Sequence, residues 1–168
     1  VVAAVQGMAL GGGCEFVMHA GKRVMALESY VGLVEAGVGL IPAGGGCKEF
    51  AVRAAEWAAQ SATPGEVFNF LQPVFQTIAM AKVAKSALEV QEMGFAKESD
   101  DVVFNAHELL HVALGRARAM AQAGYRPPLR ARNIPVAGRP GIATLEMMLV
   151  NMKEGGMISA HDYLVAKY

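Results

Sequence analysis

Two blocks of three consecutive glycines, Gly11-Gly12-Gly13 and Gly44-Gly45-Gly46, constrain this chain more than any other feature. Glycine is selected where the backbone must take a conformation other residues resist, or where another group must approach the main chain without a Cβ in the way. The first block follows a short β-branched run over residues 1–5, closed by Gln6-Gly7, which reads as a buried strand. It leads into residues 14–19, whose apolar positions have helical spacing. The expectation is a strand, a glycine turn and a helix N-terminus. Residues 23–27 read as a second strand, and 31–39 as extended chain with tight turns. The second block sits in a loop over 39–46 that also holds Pro42, and a helical period with Ala-rich faces follows over 47–60.

The remainder is mostly helical. Residues 64–84 show apolar positions at helical spacing, with Pro73 expected to kink or break the helix. Residues 85–93 end at Gly94, a suitable residue just beyond a helix C-terminus. Ser99-Asp100-Asp101 reads as a turn. Asn105, with Glu108 three residues later, has the outline of a capping box, opening a helix to Ala123 that stops at Gly124. An Arg- and Pro-rich connector over 125–140, with a short strand at 134–136, leads to closing helices at 144–153 and 160–167. Strands at the start and helices afterwards give an α/β core with a helical C-terminal part. The division expected is 1–60 as the core with the glycine turns, and 61–168 as the helical part of the same domain.

Composition narrows the function classes. Of 168 residues, 54% are hydrophobic and 18% charged, and 15 basic residues balance 15 acidic ones. A disordered solvating chain needs the opposite balance. Binding nucleic acid mainly through bulk charge needs a basic surplus that is missing here. Cys14 and Cys47 are too few for a disulfide framework and read as buried thiols in a reducing cytoplasm. No uninterrupted apolar run reaches membrane-spanning length, so the partners expected are neither nucleic acid nor membrane. The chain opens at Val1 inside an apolar run, which reads as a polypeptide trimmed at its N-terminus.

The chemistry gathers at the glycine blocks. A helix that starts right after a glycine turn points N–H groups with no helical acceptor at whatever lies beyond, and its dipole adds partial positive charge. Such a place can hold an oxygen that becomes anionic in a transition state. Glu15 belongs to the first turn of that helix. Glu35 is a lone carboxylate in the apolar, Gly-rich stretch Gly32-Leu33-Val34-Glu35-Ala36-Gly37-Val38-Gly39. Burying a carboxyl favours its neutral form, as general acid–base work requires. Taken singly, each has a plainer reading: Glu15 as a cap of its own helix, Glu35 as a surface loop residue.

The stretch from Val2 to Glu15, with Gly7-Met8-Ala9-Leu10-Gly11-Gly12-Gly13-Cys14-Glu15, together with the stretch from Gly32 to Gly46, resembles the crotonase (enoyl-CoA hydratase/isomerase) superfamily. Both glycine blocks, both glutamates and their separation agree over the first third of the chain. Ser86–Gly94 looks like the helix that follows in that family. Glu98-Ser99-Asp100-Asp101, Gly124-Tyr125-Arg126-Pro127-Pro128 and Met152-Lys153-Glu154-Gly155-Gly156 look like a subgroup in which the crotonase domain ends a large 3-hydroxyacyl-CoA dehydrogenase of fatty-acid β-oxidation.

The resemblance implies a partial ββα spiral core and a role for each matching residue. Gly12 would offer its N–H to the thioester carbonyl oxygen. Glu15 and Glu35 would flank the alkene, one deprotonating water for attack on the β carbon and the other protonating the α carbon. Having both carboxylates favours a hydratase; an isomerase, or a module that binds acyl-CoA or a sister subunit without catalysis, is the alternative. It further implies no cofactor in this chain, with the CoA thioester as substrate and NAD serving only a dehydrogenase part outside it. The partners implied are acyl-CoA and the remainder of the same polypeptide, with room for a homo-oligomer, in the cytoplasm. Two departures stand out. The family's second oxyanion donor lies on a loop before these residues, so the chain alone should bind acyl-CoA poorly and hydrate it slowly or not at all. His19-Ala20-Gly21-Lys22-Arg23 also lacks the Asp that usually follows the helix.

Other signals compete. His107-Glu108-Leu109-Leu110-His111 matches the H-E-x-x-H spacing of zinc proteases, but Leu114 stands where an extended motif continues, and no acid follows before Glu146. The plainer reading is a capped helix with one histidine turned to solvent and no metal. Arg116, Arg118, Arg126, Arg130, Arg132 and Arg139 could meet phosphates, but read better as a solvated surface. No G-x-G-x-x-G or G-x-S-x-G occurs, which argues against a dinucleotide fold or an α/β-hydrolase here.

Overall fold

The computed structural model describes residues 1–168. The chain divides into two compact units, each built from two separate stretches: Val1–Leu33 with Val83–Arg130, and Val34–Lys82 with Ala131–Tyr168. The boundary expected at 60/61 falls inside the second unit.

The first unit is an α/β layer. Strand β1 (Val2–Leu10) leads through Gly11 into helix α1 (Gly12–His19), and β2 (Lys22–Gly32) returns parallel to β1. After the short helix α4 (Ala87–Glu92) comes β3 (Asp101–Val103), which adds to the far side of β2, giving a parallel sheet of order β1-β2-β3. Helix α5 (Leu109–Gln122) follows a 3-10 turn at Ala106–Glu108. Parallel strands covered on both faces read as continuous apolar runs, and β2 shows this: Val24, Met25 and Ala26 are all buried. Val24 and Ala26, two apart and so on one face, pack with Val103, Leu109 and Ala113.

Both early strands run further than their apolar runs predict, because the ladder is carried past an irregularity. Val5 pairs with Met25, but Gly7 pairs with Ser29, so β2 advances four residues while β1 advances two. Gly7 takes a φ of 66° there. Ser29 Oγ, fully buried, lies 2.7 Å from Ala26 O and 3.2 Å from Val5 O, so its one hydroxyl hydrogen can serve either carbonyl at the irregularity. Pairing then resumes to Leu10 opposite Gly32.

The second unit is helical: α2 (Gly46–Gln60), α3 (Val67–Ala79), α6 (Gly138–Glu154) and α7 (Ala160–Lys167), with a 3-10 turn at Glu35–Val38. Pro73 lies inside α3 without ending it. The apolar face of α3, including buried Val67 and Val74, packs on α2 and holds the helix through the missing backbone donor.

Several local expectations are corrected. Cys14 is buried as expected, but Cys47, in the first turn of α2, is exposed. Residues 134–136 form no strand. Asp101 opens β3 instead of ending a turn. Asn105 caps only the 3-10 turn, its side chain accepting from His107 N at 3.2 Å, and Glu108 closes no capping box with it. The reciprocal capping box in this chain is at α7, between Ser159 and Asp162. No helix is long and apolar enough to cross a membrane.

Candidate functional site

In the first unit, the β1–α1 corner is built by glycine. Gly11, the N-cap of α1, has φ 56° and ψ −126°, a backbone conformation closed to side-chain-bearing residues without strain. Its N–H donates to Gly32 O at 2.9 Å, which ties the corner to the end of β2. Its carbonyl accepts Glu15 N at 3.0 Å, the first turn of the helix. Gly12 and Gly13 therefore carry N–H groups without an acceptor inside α1. Both are exposed, and a Cβ built on either would meet nothing within 4 Å. The positive end of α1 thus faces open space with no side chain over it.

Glu15 lies one turn along, only 8% exposed, beside fully buried Cys14. Gly11, whose amide is taken by Gly32, is the cap, so Glu15 closes no capping box. The structure thus brings Gly12 and Glu15 together on the first turn of α1. At the far end, His19 Nδ1 contacts Glu15 O at 2.7 Å, and Arg23 Nη1 donates to Met18 O at 3.0 Å and Val17 O at 3.3 Å. A cation over the last carbonyls complements the dipole.

Arg23 is a residue that motif reading overlooks. It is 2% exposed, and Asp100 answers its charge through both carboxylate oxygens: Nε to Oδ2 at 2.6 Å and backbone N to Oδ1 at 3.0 Å. A lone arginine at the head of the apolar run 23–27 was the available signal, since a buried charge demands a partner.

Glu35 belongs to the second unit. It opens the 3-10 turn Glu35–Val38 and is half-buried. Its carbonyl accepts Leu40 N at 3.0 Å, and the turn closes at Gly39, in the left-handed region at φ 75°. Helix α7 reaches this turn: His161 Nε2 lies 3.2 Å from Gly39 O. A Cβ on Gly39 would come within 2.8 Å of that nitrogen, so backbone and neighbour both require glycine. The second glycine block caps α2, with Gly45 at φ 121° and its carbonyl accepting Glu49 N at 2.8 Å.

His107 and His111 are both exposed, one in the 3-10 turn and one on α5. No group of three His, Cys, Asp or Glu residues is arranged to hold a metal ion. Arg116 is fixed by Asp101, with Nε to Oδ2 at 2.7 Å and Nη2 to Oδ1 at 2.8 Å, and Asp101 holds its guanidinium above the usual arginine range.

Comparison with known proteins adds to this geometry. Residues 1–65, which hold both glycine blocks, Glu15 and Glu35, match the model of the family described as enoyl-CoA hydratase/isomerase. A protein of Bacillus subtilis (strain 168) named "Probable 3-hydroxyacyl-CoA dehydrogenase" is 42% identical over 167 residues, covering 99% of this chain and 20% of that protein. Among solved structures, a carnitinyl-CoA dehydratase from Mycobacterium avium 104 is 26% identical with a TM-score of 0.52, over 90% of this chain and 55% of that one. An enoyl-CoA hydratase from Bacillus anthracis is 23% identical with a TM-score of 0.51, over 99% of this chain and 50% of that one. The chain thus spans about a fifth of the curated relative and about half of these solved chains.

Proposed function

We propose that this chain, whose residues 1–65 match the enoyl-CoA hydratase/isomerase family, is a crotonase-superfamily member that serves the hydration of trans-2-enoyl-CoA. The observation that carries the reading is the first turn of α1, where the exposed Gly12 amide faces open space one turn from the buried carboxylate of Glu15.

In this reading the Gly12 N–H and the helix dipole stabilise negative charge on the thioester oxygen. One of Glu15 and Glu35 takes a proton from water as the water oxygen bonds to the β carbon. The alkene electrons move to give the enolate, and the other carboxyl group delivers a proton to the α carbon. One water is added, nothing is oxidised or reduced, and the reaction asks no cofactor of this chain. Proton transfer by placed carboxyl groups contributes typically 10²–10⁴-fold.

The product, a 3-hydroxyacyl thioester, is the kind of molecule a 3-hydroxyacyl-CoA dehydrogenase oxidises. The name of the Bacillus subtilis relative supports a place beside such a dehydrogenase; the reading extends this to one cytoplasmic β-oxidation protein with NAD bound outside this chain. The test is to offer the full-length protein a trans-2-enoyl-CoA and a 3-enoyl-CoA separately. Formation of 3-hydroxyacyl-CoA from the first supports a hydratase. Migration of the double bond in the second without hydration of the first would make it an isomerase. Acyl-CoA binding by calorimetry with neither reaction would make it a binding module.

A further inference from the structure

Helix α7 sends one side chain, His161, to the turn that carries Glu35, and the proposed hydration gives it no role. We propose that His161 is a positioning residue: acting through a single peptide unit, it clamps the Glu35 turn in the geometry that proton transfer requires. The inference rests on the hydratase reading and adds a residue to it.

The turn ends in a Schellman motif. Gly39, at φ 75°, donates its N–H to Ala36 O at 3.1 Å, and Leu40 donates its N–H to Glu35 O at 3.0 Å. The Leu40 N–H and the Gly39 carbonyl belong to one planar peptide unit. That unit is therefore bonded to Glu35 at one end, and at the other its oxygen lies 3.2 Å from His161 Nε2. A carbonyl only accepts, so Nε2 is the ring nitrogen that carries hydrogen in this contact. Bonds at the two ends of a peptide strengthen one another, and a rigid plane cannot tilt at the His161 end without moving at the Glu35 end. The 3-10 bonds of so short a turn are poorly aligned, so it gains from a partner outside itself. The ring fits because Gly39 has no Cβ: one built there would stand 2.8 Å from Nε2 and 3.0 Å from Cδ2.

His161 is itself held. It lies in the first turn of α7, between Ser159 and Asp162, which close the reciprocal capping box. Helix α6 grips α7 twice: Lys167 meets Glu146 at 3.3 Å, and the Lys153 ammonium stands 5.3 Å from the centre of the Tyr163 ring. The donor is thus carried on an anchored helix and aimed at the one peptide that reports to Glu35.

Two variants of the full-length protein separate the donor from the ring. His161→Phe keeps a ring and removes the donor, and His161→Gln keeps an N–H at similar reach. The position is exposed, so both should fold, as thermal melting checks. With crotonyl-CoA, His161→Phe should lower kcat by about tenfold or more and leave KM within about twofold, because a misplaced proton carrier slows the chemical step. His161→Gln should recover most of that loss. Added to Glu35→Gln, His161→Phe should cost no further turnover, since the group it positions is already disabled. Full kcat in His161→Phe, a loss that His161→Gln does not recover, or an equal further loss beside Glu35→Gln would overturn the inference. If the unmodified protein hydrates no enoyl-CoA, or Glu35→Gln alone keeps full turnover, the hydratase reading fails by itself, and the clamp is read by amide hydrogen exchange over residues 35–40. Exchange about tenfold faster in His161→Phe and restored in His161→Gln supports the clamp; unchanged exchange overturns it.

Discussion

Arg23 Nε donates to Asp100 Oδ2 at 2.6 Å across 77 residues of sequence, and both side chains are 2% exposed. The pair ties three pieces of backbone together. Asp100 also accepts the Lys97 N–H, and Arg23 reaches the last carbonyls of α1. It thus fixes the end of α1, the start of β2 and the turn that feeds β3. Removing one member leaves the other charge buried without its counter-ion, which costs about 3–5 kcal/mol. Arg23→Met and Asp100→Asn should each lower unfolding stability in urea by that order. The double variant should recover part of the loss, since the two changes couple. Strict additivity would contradict the pairing as an energetic unit.

Neighbouring glycines should answer differently to the same substitution. Gly11→Ala forces a side chain into φ 56°, ψ −126° and should destabilise by about 1–3 kcal/mol. Gly12→Ala meets open space, so its stability should stay within about 0.5 kcal/mol. Its new methyl group would nevertheless stand beside the amide proposed to meet the thioester, and kcat/KM for enoyl-CoA should fall roughly tenfold or more. Thermal melts beside turnover measurements separate the two effects. A Gly12→Ala variant with full activity would argue against an oxyanion role for that amide.

Helix α7 should loosen in acid. Asp162 Oδ2 accepts Ser159 N at 2.9 Å while Ser159 Oγ accepts Asp162 N at 3.0 Å. The Ser159 backbone N–H, and then its hydroxyl, hold the Asp162 carboxyl below the ordinary value of 3.8. A carboxyl lowered in the folded state contributes its stability in full above the unfolded value, and loses it as pH falls through the folded value. Backbone NMR shifts of residues 160–167 should therefore keep their helical values down to about pH 4 and lose them below it. Asp162→Asn should abolish that acid-linked step.

Metal removal should change nothing. With His107 and His111 both exposed and no third ligand assembled, chelator treatment should leave the melting temperature and any hydratase activity unaltered. Stoichiometric zinc in the purified protein would contradict this.

Local features were legible in the sequence where their cause is local. The strand, glycine turn and helix at residues 1–19 follow from apolar spacing and three glycines, and α7 occupies the residues its periodicity marks, 160–167. What escaped depends on distant partners. β3 is three residues long and exists because β2 offers it an edge. The ends of β1 and β2 lie past the irregularity that Ser29 fills, and no periodicity carries across such a break. Pro73 is tolerated in α3 because burial of its apolar face outweighs a lost hydrogen bond. The glutamates could be singled out by type and setting, but their roles came from resemblance to a family, not from spacing.

The most direct measurement is turnover of crotonyl-CoA by the full-length protein carrying Glu15→Gln or Glu35→Gln, each made alone. Glutamine keeps the shape of the side chain and removes its capacity to exchange a proton. Both variants should melt near the parent protein and lose hydration by about 10²–10⁴-fold. Undiminished turnover in both would contradict the proposed carboxylate chemistry.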